Sequence, residues 1–129
     1  MVTTKLNVKN LNSKYSIIIG KNILKSVPAQ IKLICPNAKK IGLVVDKKVP
    51  KKFVYKLKTY LNKYDVHLFQ YSVNENFKSF KNVNKLVEKC LINNFNRNDI
   101  LISFGGGILG DFCAFAASIT KRGINFINI

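Results

Sequence analysis

A mostly apolar run, Ile100 to Phe104 (ILISF), passes directly into Gly105-Gly106-Gly107 and then into a second apolar stretch that ends near Thr120. Few folds accommodate that order. A short continuous apolar run is the pattern of a strand buried on both faces of a parallel sheet. Gly105 to Gly110 reads as a glycine turn. Ile108 to Thr120 is too long for a strand; it reads as a buried helix, with Gly123 as its terminator.

The rest of the chain repeats the alternation. Lys5 to Val8 and Tyr15 to Gly20 read as two strands joined by a polar Asn/Ser turn. Ser26 to Leu33 predicts a short helix, with Ser26 as cap and Pro28 in the first turn. Ile41 to Val45 (IGLVV) is a second buried strand, ending at Asp46. Pro50 to Asn62 spaces Phe53, Val54, Leu57 and Leu61 as a helix does, and Ser79 to Ile92 does the same with Phe80, Val83, Leu86, Val87 and Cys90. Val66 to Tyr71 is a strand, and Ile124 to Ile129 begins another. Strands alternating with helices imply the α/β class. The expected fold is Rossmann-like: a mostly parallel sheet with helices on both faces, and an N-terminal β-hairpin. One domain spans residues 1–129, and a chain that stops on an apolar strand reads as truncated.

Charge excludes less than it suggests. The net charge is +16, yet the 22 basic residues are 20 Lys and two Arg, scattered from Lys5 to Arg122. Scattered lysines read as solvated faces, and no basic-aromatic interleaving marks a nucleic-acid surface, so nucleic acid is not an expected partner. No run of about 18 apolar residues predicts a membrane span. Cys35, Cys90 and Cys113 are far apart and odd in number; with no secretory signal they read as reduced residues of a cytoplasmic protein. One histidine and no Cys-x-x-Cys give no metal site in this chain.

The candidate site gathers around the glycines. Backbone N–H groups at a helix start, reinforced by the helix dipole, favour a phosphate or pyrophosphate, and glycines allow close approach and φ > 0. GGGILG fits G-x-G-x-x-G literally, although the usual fingerprint follows the first strand, and a packing turn explains the glycines equally well. Asp111 follows the last glycine, in the first turn of a helix expected to be buried, so it should have a partner. Asp46 ends a strand at the edge where ligands of open α/β sheets bind, and an acid there takes ribose hydroxyls; as a turn acid it would need no ligand. Glu75 falls in the loop after Tyr71. Three of the six acids thus lie where strands exit toward one edge. Arg122, one of two arginines, offers a planar fork for phosphate or carboxylate, or charge for a helix C-terminus.

Together these elements resemble the 3-dehydroquinate synthases. GGGILGDFCAFAASITKRGINFI is similar to that family's signature, Glu75-Asn76-Phe77-Lys78-Ser79 to its Glu-x-x-Lys-Ser element, Val44-Val45-Asp46 to its strand-end acid, and YSIIIGKNIL to its opening strand. Order and spacing agree along the whole chain. Asn74 stands where a Gly is usual, which a residue tolerant of φ > 0 can replace, and Ala114 where a Gly is common. The resemblance implies that Asp46 binds the adenosine ribose of NAD and that Glu75 and Lys78 contact the same end. The backbone of Gly105, Gly106 and Gly107 would take the pyrophosphate, and Asp111 would lie toward the nicotinamide ribose. Arg122 would reach the substrate phosphate across a homodimer interface.

The resemblance further implies the NAD- and metal-dependent cyclisation of a heptulosonate phosphate to 3-dehydroquinate, with phosphate release, in the shikimate pathway. It also implies a C-terminal helical domain, absent from this chain, that holds zinc or cobalt and the catalytic residues, so the isolated chain is expected to be inactive. A non-catalytic nucleotide-binding module, or another sugar-phosphate cyclase, is the alternative.

Overall fold

The computed structural model describes residues 2–129. Strands β1 (Thr4–Lys9) and β2 (Lys14–Ile19) pair antiparallel as a hairpin. Its turn closes on one side chain: Asn10 Oδ1 accepts from the amides of Asn12 and Ser13 and from Ser13 Oγ, at 2.6–3.0 Å. The remaining strands are β3 (Lys40–Asp46), β4 (Asp65–Tyr71), β5 (Ile100–Phe104) and β6 (Asn125–Asn128). They form one parallel sheet in the order β4-β3-β5-β6.

Alternation within the strands sorts the core into two layers. Ile41, Leu43, Val45, Ile100 and Ile102 point to one face and meet α1 (Val27–Ile34) and α2 (Lys51–Tyr60) through Val27, Ile31, Val54 and Leu57. Val44, Phe69 and Leu101 point to the other and meet α3 (Phe80–Ile92) and α4 (Gly107–Ile119) through Val83, Leu86, Phe112 and Cys113. A period of two places successive side chains on opposite faces, so a central strand covered by helices on both sides must be apolar throughout. IGLVV and ILISF satisfy that condition, and the Rossmann-like α/β architecture follows.

Three local expectations are corrected. Ser26 caps nothing: a 3-10 turn, Ile23–Ser26, runs straight into α1, so Ser26 has helical backbone and its Oγ donates to Ile23 O at 2.7 Å. The glycine turn is shorter than the sequence suggests, because α4 already begins at Gly107 and Gly110 lies inside it. Each interior glycine costs about 1 kcal/mol relative to Ala, and the burial of Leu109, Phe112, Cys113, Ala116 and Ala117 outweighs it. Nor does Gly123 alone end the helix: α4 stops at Ile119, and a 3-10 turn, Thr120–Arg122, follows. Lys121 (φ 50°), Arg122 (φ 67°) and Gly123 (φ 109°) there all hold positive φ.

The three cysteines are free and buried. Burial pushes the Cys35 thiol up and the Cys90 thiol up to about 11; burial, with Cys90 nearby, raises Cys113 further. Roughly a thousandth of Cys90 is then thiolate at about pH 8. Thiol-reactive reagent at that pH should therefore leave all three cysteines unmodified in the native chain and titrate three after denaturation. Rapid native labelling would show that the helices do not close over the sheet as described.

Candidate functional site

The chain leaves β3 for β4 on one side, and α3 then carries it back across β3 to β5 on the other. The strand order therefore reverses between β3 and β5, and ligands of open α/β sheets bind outside the carboxyl ends of strands at such a switch point. Two features stand there. At the end of β3 is Asp46, 8% exposed, whose Oδ1 accepts from the Lys48 amide at 2.9 Å; among the described residues no donor meets Oδ2. At the end of β5 are Gly105 and Gly106, opening into α4.

Gly105 is demanded by packing. A Cβ on it would lie 3.0 Å from Asp46 Cβ and 2.9 Å from Leu109 Cδ2, so the glycine lets the two strand ends sit side by side. Gly106 and Gly107 differ: a Cβ on either would meet nothing within 4 Å. The space in front of the helix start is open. No side chain caps α4, and Gly106 is extended (φ −84°, ψ −178°). A helix start leaves its first N–H groups without intrahelical partners, and at the start of α4 these belong to Gly107, Ile108 and Leu109. The glycines serve close approach and access. None of Gly105, Gly106 and Gly107 takes the positive φ that sequence reasoning allowed them.

A cavity of ≈ 370 Å³ is lined by Asp46, Lys48, Pro50, Gly105, Gly106 and Ile129. A second, ≈ 380 Å³, lies on the other side of Asp46 between the ends of β3 and β4 and is lined by Asp46, Lys47, Lys48, Ser72 and Asn74. Asp46 and Lys48 are common to both.

Around α4 the rim continues. Glu75 sits in a 3-10 turn, Glu75–Phe77, and is exposed. Asn74 holds that turn: its backbone is extended (φ −145°), and its Oδ1 accepts from Phe77 N at 3.0 Å. It is a cap and not the φ > 0 stand-in for glycine that its position suggested. Lys78 Nζ lies 2.7 Å from Asp111 Oδ2. Asp111 therefore has the partner expected of it, although it is exposed and occupies the second turn of α4, not a buried first turn. Beside this pair Phe80, Val83, Phe112 and Phe115 line an apolar depression of ≈ 260 Å³.

Asp46, Glu75, Lys78, Gly105, Gly106, Gly107 and Asp111 thus all occupy the carboxyl edge of the sheet. Arg122 does not. It follows the far end of α4, a 13-residue helix about 20 Å long, and is exposed at the opposite edge. Among the described residues no three His, Cys, Asp or Glu side chains group as a metal would need, and no helix is long and apolar enough to cross a membrane.

Sequence reasoning gave no role to Lys48 or to Asp99. The latter, wholly buried, accepts from the amides of Lys39, Lys40 and Asn96 at 2.8–3.2 Å and ties the starts of β3 and β5 together. The available signal was an acid immediately before a buried strand, where desolvation demands donors.

Fold and edge together define the class: a Rossmann-like α/β domain with a groove at the switch point of its sheet. Comparisons narrow it. The family model described as 3-dehydroquinate synthase N-terminal matches residues 68–129. The 3-dehydroquinate synthase of Pelagibacter ubique is 44% identical over 125 residues, covering 97% of this chain and 34% of that protein. That of Buchnera aphidicola is 37% identical, covering 93% and 33%. The chain belongs to the 3-dehydroquinate synthase family, and it spans about a third of the length of these relatives. The fold is also that of 2-deoxy-scyllo-inosose synthase, solved with carbaglucose-6-phosphate, NAD+ and Co2+ (TM-score 0.86, 24% identity, 98% of this chain and 34% of that one). A 2-epi-5-epi-valiolone synthase from Streptomyces hygroscopicus, solved with NAD+ and Zn2+, shares it as well (TM-score 0.72, 22% identity, 94% and 34%).

Proposed function

We infer that residues 1–129 form the NAD-binding domain of a 3-dehydroquinate synthase, acting in the cyclisation of a seven-carbon heptulosonate phosphate to 3-dehydroquinate with loss of phosphate. The observation that carries this reading is the meeting, at one switch point, of uncapped helix amides, open space before Gly106 and Gly107, and a strand-end carboxylate one of whose oxygens meets no donor among the described residues. Amides at a helix start suit a diphosphate, and a carboxylate one strand away suits ribose hydroxyls.

NAD, when bound, supplies the acceptor and later the donor of a hydride. This chain's residues bind and orient it. Gly107, Ile108 and Leu109 donate N–H groups to the diphosphate; Asp46 accepts from the adenosine ribose and Glu75 serves that same end; Lys78 and Asp111, paired at 2.7 Å, serve one stretch of the nucleotide together and not its two ends. Arg122, at the opposite edge, serves a substrate phosphate held by another subunit of a homodimer. The described side chains do not fit a metal, so the zinc or cobalt of the family would rest on residues outside this chain. The reading places the protein in the cytoplasm, in aromatic amino-acid biosynthesis.

Gly106→Asp tests it. A Cβ there meets nothing, and the extended backbone accepts any residue, so the fold should survive with unchanged circular dichroism. A carboxylate before the helix amides repels a diphosphate, and NAD affinity measured by calorimetry should fall about tenfold or more. Equal affinity in the variant and the parent would remove the helix start from the site.

A further inference from the structure

We propose that Asn128, at the end of β6, is a further nucleotide-binding residue, whose side-chain N–H groups donate to the second ribose of the dinucleotide, the one beyond the diphosphate. The proposal rests on the nucleotide-binding reading above and extends it across the sheet.

Strand order sets the direction of the ligand. In that reading Asp46 holds one sugar at the end of β3, and the α4 amides hold the diphosphate at the end of β5. The sheet runs β4-β3-β5-β6, so a dinucleotide that continues along this line arrives next at the end of β6. Neighbouring strands lie about 4.8 Å apart, which puts that end one short step past the diphosphate. The cavity beside Asp46 already runs this way, from Asp46 past Gly105 and Gly106 to Ile129. The polar side chains of β6 are its two asparagines, and Asn125 stands at the strand's start. Asn128 is the one at the carboxyl edge.

Two observations separate Asn128 from an ordinary surface amide. It pairs across the strands with Ser103, which is wholly buried, and the Ser103 Oγ donates to its Oδ1 at 2.5 Å. That bond occupies the acceptor side of the amide and fixes its plane. The Nδ2 keeps two N–H donors, and among the described residues neither meets an acceptor. The second observation is Gly110. A Cβ there would lie 3.0 Å from Asn128 Oδ1 and 3.2 Å from its Nδ2. The last glycine of GGGILG, unfavourable inside a helix, is therefore what lets the amide stand against the first turns of α4. Asp111, the next residue, turns instead to Lys78. A buried hydroxyl and a missing side chain hold the amide in place before any ligand arrives, and a contact preorganised in this way binds at lower entropic cost.

The test is calorimetric titration of the full chain, and of its Asn128→Ala and Asn128→Asp variants, with NAD, ADP-ribose and ADP. Asn128 is exposed, so alanine keeps the fold, which circular dichroism checks. Aspartate retains an oxygen for Ser103 and has no N–H to give. Each variant should bind NAD and ADP-ribose about three- to tenfold more weakly relative to ADP. ADP lacks the second ribose, so its affinity carries any general effect of the exchange on fold or charge, and the ratio isolates the contact. Ser103→Ala leaves the amide but frees its plane, and should show a smaller loss in the same ratio. A ratio unchanged in both Asn128 variants means that the amide only braces β6 against α4 and overturns the proposal. A loss for NAD with none for ADP-ribose overturns the assignment to the ribose. Failure of the parent to bind any of the three overturns the underlying reading instead, and the failures are distinguishable.

Discussion

Asp99→Ala should lower the unfolding free energy by about 3 kcal/mol or more, the largest stability loss expected of any exchange of a polar side chain in this protein. The carboxylate is wholly buried and accepts three amides, from Lys39, Lys40 and Asn96. Alanine leaves three part-buried amides without their side-chain acceptor, at about 1–3 kcal/mol each less whatever water recovers. For a domain of this size each kcal/mol lowers the melting temperature by about 3–5 °C, so the expected drop is about 10 °C or more. Thermal melting followed by circular dichroism decides it. A change under about 1 kcal/mol would mean that the starts of β3 and β5 are held by packing alone. Asp99→Asn should fall between, since its amide oxygen still accepts but carries no charge.

Asp46→Ala should weaken NAD binding by about 10- to 150-fold, corresponding to about 1.5–3 kcal/mol for hydrogen bonds to a charged acceptor. Two effects combine: the ribose loses its acceptor, and the Lys48 amide loses the bond that shapes the turn between the two cavities. Asp46→Asn separates them, because it retains an oxygen for Lys48 while discarding the charge. If the turn is what matters, Asn should bind nearly as the parent does; if the carboxylate itself grips the sugar, Asn should resemble Ala. Calorimetry on the three proteins reads this directly, and an Ala variant within about twofold of the parent removes Asp46 from the site.

The fold was legible wherever burial acts on both faces of an element. IGLVV and ILISF have the pattern of central parallel strands, and the spacing of Val83, Leu86 and Cys90 that of a helix stripe. Element ends were harder. Ser26 has the chemistry of a cap, but the preceding 3-10 turn removes the orphan donors it would have served. Gly107 has the chemistry of a turn, but tertiary burial of the following apolar residues recruits it into the helix. At the site, the sequence located Asp46 and the glycines because strand ends and helix starts are fixed by local pattern. It located neither the Lys78–Asp111 pair, 33 positions apart, nor the sharing of Asp46 between two cavities. Both depend on how the β4–α3 loop lies against α4, and no periodicity encodes that. The partners of Asp99 are backbone amides, which leave no mark on side-chain identity; only its place before a buried strand marks it.

Lys121 and Arg122 carry a consequence of another kind. Two consecutive residues with a Cβ hold left-handed dihedrals, at a cost of about 1–2 kcal/mol each relative to a relaxed backbone. Glycine at position 122 would be the more comfortable choice, yet it would discard the guanidinium. Relief of backbone strain and retention of the guanidinium therefore pull in opposite directions at a single codon, and an effort to harden this molecule there would erase one of its two arginines.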